Sequence, residues 1–174
     1  LNFLDALYSL TRSHKSFINT KSFKLKDEDK MNNKNPTNLV QKWLDNLCLR
    51  EMEPIIDFYH ENAILVPTLS KEIRQGTIEI KDYFIDFLGD HPNLCGDIVF
   101  EACQEIEYSV LKAVSVSGIY NFTWDSHPEF TMNTLTARFT FVFTWVDCDS
   151  EDYYNDKGSW KILTHHSSAM PSED

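Results

Sequence analysis

The sequence predicts an α+β domain, helices first and an antiparallel sheet after them. Apolar residues recur at helical spacing as far as Leu88, and beyond Gly96 they alternate with polar ones. The chain has 174 residues, 42% hydrophobic and 13% aromatic, which is enough apolar mass for one core and too short for two domains of ordinary size.

The elements follow in order. Leu39, Val40, Trp43, Leu44 and Leu47 lie on one face of a helix for which Thr37 is the expected cap. A second helix is expected at about 51–60, and Ala63-Ile-Leu-Val66 reads as a short strand closed by Pro67. A third helix, about 78–88, gathers Ile80, Tyr83, Phe84, Phe87 and Leu88 on one side and stops before His91-Pro92. Strands are expected at about 97–107, 110–124, 132–147 and 158–166. Within the third of these, Ala137, Phe139, Phe141, Phe143 and Trp145 share one face, while Arg138, Thr140, Val142 and Thr144 share the other. Neither face is fully polar, so the sheet is expected to pack against its own helices on one side and a second subunit on the other.

Residues 1–36 stand apart from this pattern and are read as an N-terminal extension, with the domain at 37–174. Residues 1–26 hold five basic side chains against Asp5 alone, which leaves −15 on the rest of a chain whose net charge is −11. The extension reads either as a targeting segment or as sequence upstream of a natural start at Met31. The acidic remainder argues against sequence-independent binding to nucleic acid or anionic lipid, both of which need basic surface. No apolar run reaches the roughly 18–20 residues of a membrane span. Cys48, Cys95, Cys103 and Cys148 form no Cys-x-x-Cys pair, and a chain this large needs no disulfide staple, so free thiols in a reducing compartment are expected. The expectation is a soluble cytoplasmic protein, or an organellar one if the first 30 residues act as an address.

The polar residues exclude several chemistries. His14, His60, His91 and His127 are scattered without metal-ligand spacing, and the five glycines build neither a phosphate loop nor a nucleophile elbow. Attention falls on the end of the last strand, Trp160-Lys-Ile-Leu-Thr-His165-His166-Ser167-Ser168-Ala-Met170-Pro171. Unbroken alternation puts Trp160, Ile162, Thr164, His166 and Ser168 on one face and Lys161, Leu163, His165 and Ser167 on the other. Lys161 belongs in solvent, so the face expected inside is that of His166 and Ser168. Pattern alone favours the ordinary reading, in which these polar groups satisfy each other and nearby backbone at a strand end.

That run, together with Val66-Pro67-Thr68-x-Ser70, Asp82-Tyr83-Phe84-x-x-Phe87-Leu88, Gly118-x-Tyr120-x-Phe122 and Ala137-Arg138-Phe139-Thr140-Phe141, resembles the iota-class carbonic anhydrases. These belong to the nuclear transport factor 2-like superfamily, with the calcium/calmodulin-dependent protein kinase II association domain as a relative. The resemblance covers about residues 37–171 and departs from the usual pattern in lacking an acidic residue directly after Pro171 and in the acidic insert 147–157. It implies a cone whose curved sheet wraps the helices around one pocket, and a homodimer formed through the outer sheet face. It also implies hydration of carbon dioxide to bicarbonate without a metal, manganese or zinc being the less favoured option. The catalytic residues it implies are His166, Ser168, Thr68 and Tyr83, with Tyr120, His165 and Arg138 as substrate contacts. In this reading the hydroxyls orient water and stabilise charge on the bicarbonate oxygens, while His166 accepts and shuttles the proton.

Each residue also has an ordinary structural reading. Tyr83 and Tyr120 suit a core, Thr68 suits a turn cap, and Arg138 suits an ion pair at an interface. Two other functions share the fold. One is a non-catalytic assembly or ligand-binding module, in which the pocket is filled by side chains. The other is an isomerase or cyclase with a carboxylate base, for which Asp82, Asp86 and Glu101 are candidates by position.

Overall fold

A computed structural model describes residues 38–108, 111–126, 131–147 and 158–171. The chain divides into a unit at 1–32 and a unit at 33–174, and all described residues belong to the second. The readings of residues 1–36, of Thr37 as a cap and of the acidic insert fall outside the described residues.

Helix α1 (Leu39–Leu49) buries Leu39, Val40, Trp43, Leu44 and Leu47, the face that its spacing predicts. Asn38, in the left-handed region at φ 66, occupies its N-cap without a side-chain hydrogen bond. Helix α2 (Met52–Asp57) is shorter than expected because the chain already turns extended at Tyr59, where strand β1 (Tyr59–Val66) begins. A two-residue strand β2 (Arg74–Gln75), too short to leave a periodic signal, precedes helix α3 (Gly76–Asp90). Gly76 takes φ 77, and the backbone N–H of Gln75 donates to Glu79 Oε2 at 2.8 Å, which satisfies a donor at the head of α3. At its other end Arg50 donates to the carbonyls of Leu88 and His91, placing a cation where helix carbonyls are unpaired.

Four long strands follow: β3 (Cys95–Tyr108), β4 (Leu111–Asp125), β5 (Met132–Asp147) and β6 (Gly158–Ala169). They join the first two in one six-stranded sheet of order β2-β1-β6-β5-β4-β3. Only the β1–β6 contact is parallel, so the sheet is mixed rather than wholly antiparallel. The inner face carries Ala137, Phe139, Phe141 and Phe143 of β5, all at most 3% exposed, packed against Trp43 of α1 and Phe84 of α3.

One irregularity decides the site. Val142 pairs with Thr164 and Phe143 with Ile162, so Leu163 is an extra residue on β6 with no partner across from it. Trp160 and Ile162 point inward as alternation requires, but after the bulge the buried residues are His165 and Ser167, at 3% and 6% exposed. His166 is exposed and Ser168 half-buried on the outer face. The expected orientation of this segment is therefore reversed, because alternation counted from Lys161 is broken at Leu163.

The cysteine reading also changes. Cys48 near the end of α1 and Cys95 at the start of β3 form a disulfide with Cα atoms 4.5 Å apart. Gly96 makes this approach feasible, since a Cβ there would lie 2.7 Å from Leu44 Cδ2 and 2.8 Å from Phe122 Cε1. A bridge spanning 47 residues restricts the unfolded chain by roughly 4 kcal/mol in the loop-entropy model, with about 2–4 kcal/mol the usual measured range. Reduction, or Cys48→Ser, is expected to lower unfolding free energy by about that amount in urea titration. Equal midpoints for the oxidised and reduced protein would contradict the staple. Cys103 is a free, exposed thiol.

Candidate functional site

The site lies between the inner face of the sheet and helices α1 and α3. The bulge supplies His165 and Ser167 from β6, and Pro67 ends β1 so that Thr68 turns over the same spot. Tyr83 comes from α3, Tyr120 from β4 and Trp43 from α1. Across the sheet from Phe139 stands Gly118, where a Cβ would meet Phe139 Cζ at 2.7 Å. The missing side chain lets Phe139 settle against Tyr120, with ring centroids 4.8 Å apart and planes within 17°.

A hydroxyl chain runs along one wall. Tyr120 Oη donates to Ser167 Oγ at 2.5 Å, and Ser167 and Thr68 share a short hydrogen bond. Ser167 accepts from Tyr120, and between Ser167 and Thr68 either hydroxyl can be the donor. On the other wall His165 stacks on Phe141, centroids 3.9 Å apart, and meets Trp43 edge to face. Its Nδ1 lies 2.8 Å from Tyr59 Oη, while Nε2 is buried with no hydrogen-bond partner among the described residues. Burial lowers its pKa from 6.5 to about 3, so the ring is neutral at any physiological pH. Burial also pushes Tyr83 up to about 12 and raises Tyr59 and Tyr120, which keeps all three phenols protonated.

The cavity these groups enclose is otherwise apolar, lined by Leu65, Phe84, Phe87, Phe122 and Leu135 among others. Its volume of ≈ 30 Å³, against about 10–15 Å³ for one water, is room for two or three waters, so it suits a ligand of only a few heavy atoms. A wider, open groove of ≈ 630 Å³ beside Lys42, Asp57 and Lys161 is a separate feature, made of α1, α2 and the start of β6.

Of the residues singled out from the sequence, Thr68, Tyr83, Tyr120 and His165 line the cavity. His166, Ser168 and Arg138 do not. Arg138 is exposed on the outer face and pairs across the strands with Ser168 and Ile119. Asp82, Asp86 and Glu101 are exposed, and among the described residues no carboxylate lines the cavity where an isomerase would carry its base. The same lining offers one imidazole and several hydroxyls, a donor set that does not fit zinc or manganese. Two residues were missed. Ser167 was assigned to the wrong face, and Tyr59 was placed in a helix that ends before it. The doublets His165-His166 and Ser167-Ser168 were the available signal, since they supply the same pair at either parity.

No protein-family model matches the sequence, and no curated protein matches it. Solved structures do match. A protein from Xanthomonas campestris named as a calcium/calmodulin-dependent protein kinase II association domain is 27% identical, over 78% of this chain and 86% of that one, with TM-score 0.63. A nuclear transport factor 2-like superfamily protein from Salmonella enterica is 12% identical over 84% and 96% of the two chains, with TM-score 0.63. The association domain of C. elegans calcium/calmodulin-dependent protein kinase II is 12% identical over 82% and 99%, with TM-score 0.56. With its helices packed on a six-stranded mixed sheet, and its likeness to these structures, the chain has the nuclear transport factor 2-like fold.

Proposed function

We propose that the cavity hydrates carbon dioxide to bicarbonate, acting as an iota-like carbonic anhydrase without a metal. The observation that carries this reading is a small cavity, lined largely by aromatic and aliphatic side chains, with the His165 imidazole, unpartnered at Nε2 among the described residues, and the Tyr120–Ser167–Thr68 hydroxyl chain on its polar walls. Carbon dioxide is small and apolar, and an aromatic wall admits it without the desolvation cost an ion would meet. Polar groups fixed in a low-dielectric site stabilise negative charge as it grows on the product oxygens. The His-x-Ser pair of the sequence motif is here His165 and Ser167.

The pKa directions assign the proton. An imidazole held near 3 is too weak to keep a proton taken from water, and the protonated tyrosines are no bases either. Water oxygen bonds to carbon, one C=O electron pair moves onto oxygen, and the leaving proton goes to hydroxide or buffer base at the mouth of the cavity. The rate is therefore expected to be modest and to climb with pH through neutrality, without a plateau near the usual histidine pKa of about 6.5.

Stopped-flow hydration on protein freed of metal by chelation tests the reading. Activity that persists in chelator and rises with pH supports it; a folded protein with no activity, with or without added zinc or manganese, sinks it. The surviving account would then be an assembly module, favoured by the 27% identity to a protein named as an association domain. Self-association would use the outer sheet face, where Ile119, Arg138, Thr140, Val142, His166 and Ser168 stand together.

A further inference from the structure

We infer that Tyr59 is a positioning residue that fixes His165 as its Nε2–H tautomer, so that the ring presents a hydrogen-bond donor and the cavity receives an oxygen acceptor of a small planar anion such as bicarbonate or formate. The inference deepens the proposed function and rests on that reading for the identity of the natural ligand.

The argument is a count of donors and acceptors. Tyr59 is 3% exposed, and its hydroxyl meets His165 Nδ1 at 2.8 Å. Two arrangements fit that distance. If Nδ1 carried the hydrogen and donated to the phenol oxygen, two buried groups would lack a partner among the described residues, the phenol hydrogen and the Nε2 lone pair. If the phenol donates to Nδ1, its hydrogen is satisfied, Nδ1 acts as acceptor, and one group alone is left without a partner there, the hydrogen on Nε2.

The indole N–H of Trp43, next to the ring, completes no hydrogen bond among the described residues and offers His165 no acceptor. With the phenol donating, Nε2 bears a hydrogen, is buried, and lacks a partner among the described residues on a ring that lines the cavity. The Thr68 hydroxyl lines the same space and turns a second donor toward it when Ser167 donates to Thr68. A site with an N–H donor, and no carboxylate among the described residues lining it, selects acceptor oxygens, and its size limits the ligand to a few heavy atoms.

Long-range nitrogen–proton correlation NMR on uniformly 15N-labelled full-length protein reads the tautomer directly, the His165 signals being assigned by their loss in His165→Gln. The expected result is a protonated Nε2 and an unprotonated Nδ1 in the wild type, with the Nε2 signals shifting as formate is added. In Tyr59→Phe the Nδ1–H form is expected to appear and the formate dissociation constant to rise about tenfold. An Nδ1–H tautomer in the wild type overturns the inference whether or not the variant folds, as does formate affinity unchanged in a folded Tyr59→Phe. These readouts do not depend on catalysis. An Nε2–H ring that binds formate in a protein with no hydratase activity removes the proposed function and keeps the inference, and an active enzyme with Nδ1–H does the reverse.

Discussion

Lowering the pH from 6.5 to 3 is expected to cost the folded chain on the order of 5 kcal/mol through His165 alone. In the folded state burial holds the ring neutral until about pH 3, while in the unfolded state it takes a proton at 6.5. Between those values the unfolded chain binds more protons, so stability is complete above 6.5 and falls as the pH drops toward 3. Below 3 the folded state binds the proton as well and the loss stops growing. Replacement by Gln keeps a polar group beside Tyr59 and removes the titration. Urea unfolding of wild type and His165→Gln at intervals across this range should give a much flatter pH dependence for the variant; parallel curves would mean that the imidazole is not isolated from water.

The second expected result concerns neighbours in the chain. His165→Ala and Ser167→Ala should each lower kcat/KM for carbon dioxide hydration by about 10²-fold, the usual scale for losing one fixed donor. His166→Ala and Ser168→Ala should stay within about twofold of wild type, because their side chains stand on the opposite face of β6. The reverse order would place the Leu163 bulge elsewhere. Alternation of effect along four consecutive residues is a signature that general destabilisation does not produce.

How far the fold was legible depended on how local the signal was. The five buried positions of α1 and the aromatic face of β5 follow from period alone, because each element meets one continuous apolar surface. The boundary between α2 and β1 did not. Residues from Met52 to His60 suit a helix, but pairing of Tyr59 with Ile162, 103 positions away, draws the chain extended. The orientation of His165 failed for a related reason: parity read from Lys161 holds only while no residue is inserted between. Pairing of Cys48 with Cys95 was hidden too, since it arises from docking a helix against a strand that no local pattern connects. Thr68, Tyr83 and Tyr120 line the cavity, and the hydroxyls of Thr68 and Tyr120 meet Ser167, a long-range partner that no local pattern shows.

The doubled sequence His-His-Ser-Ser at 165–168 has a consequence for how such a chain can change. A strand that slips by one place turns every side chain to the opposite face. Here the slip would exchange His165 and Ser167 for His166 and Ser168 and offer the cavity the same two functional groups. The repeat works as a spelling that reads alike in either frame, so an insertion or deletion near Leu163 would disturb packing before it erased the chemistry of the wall.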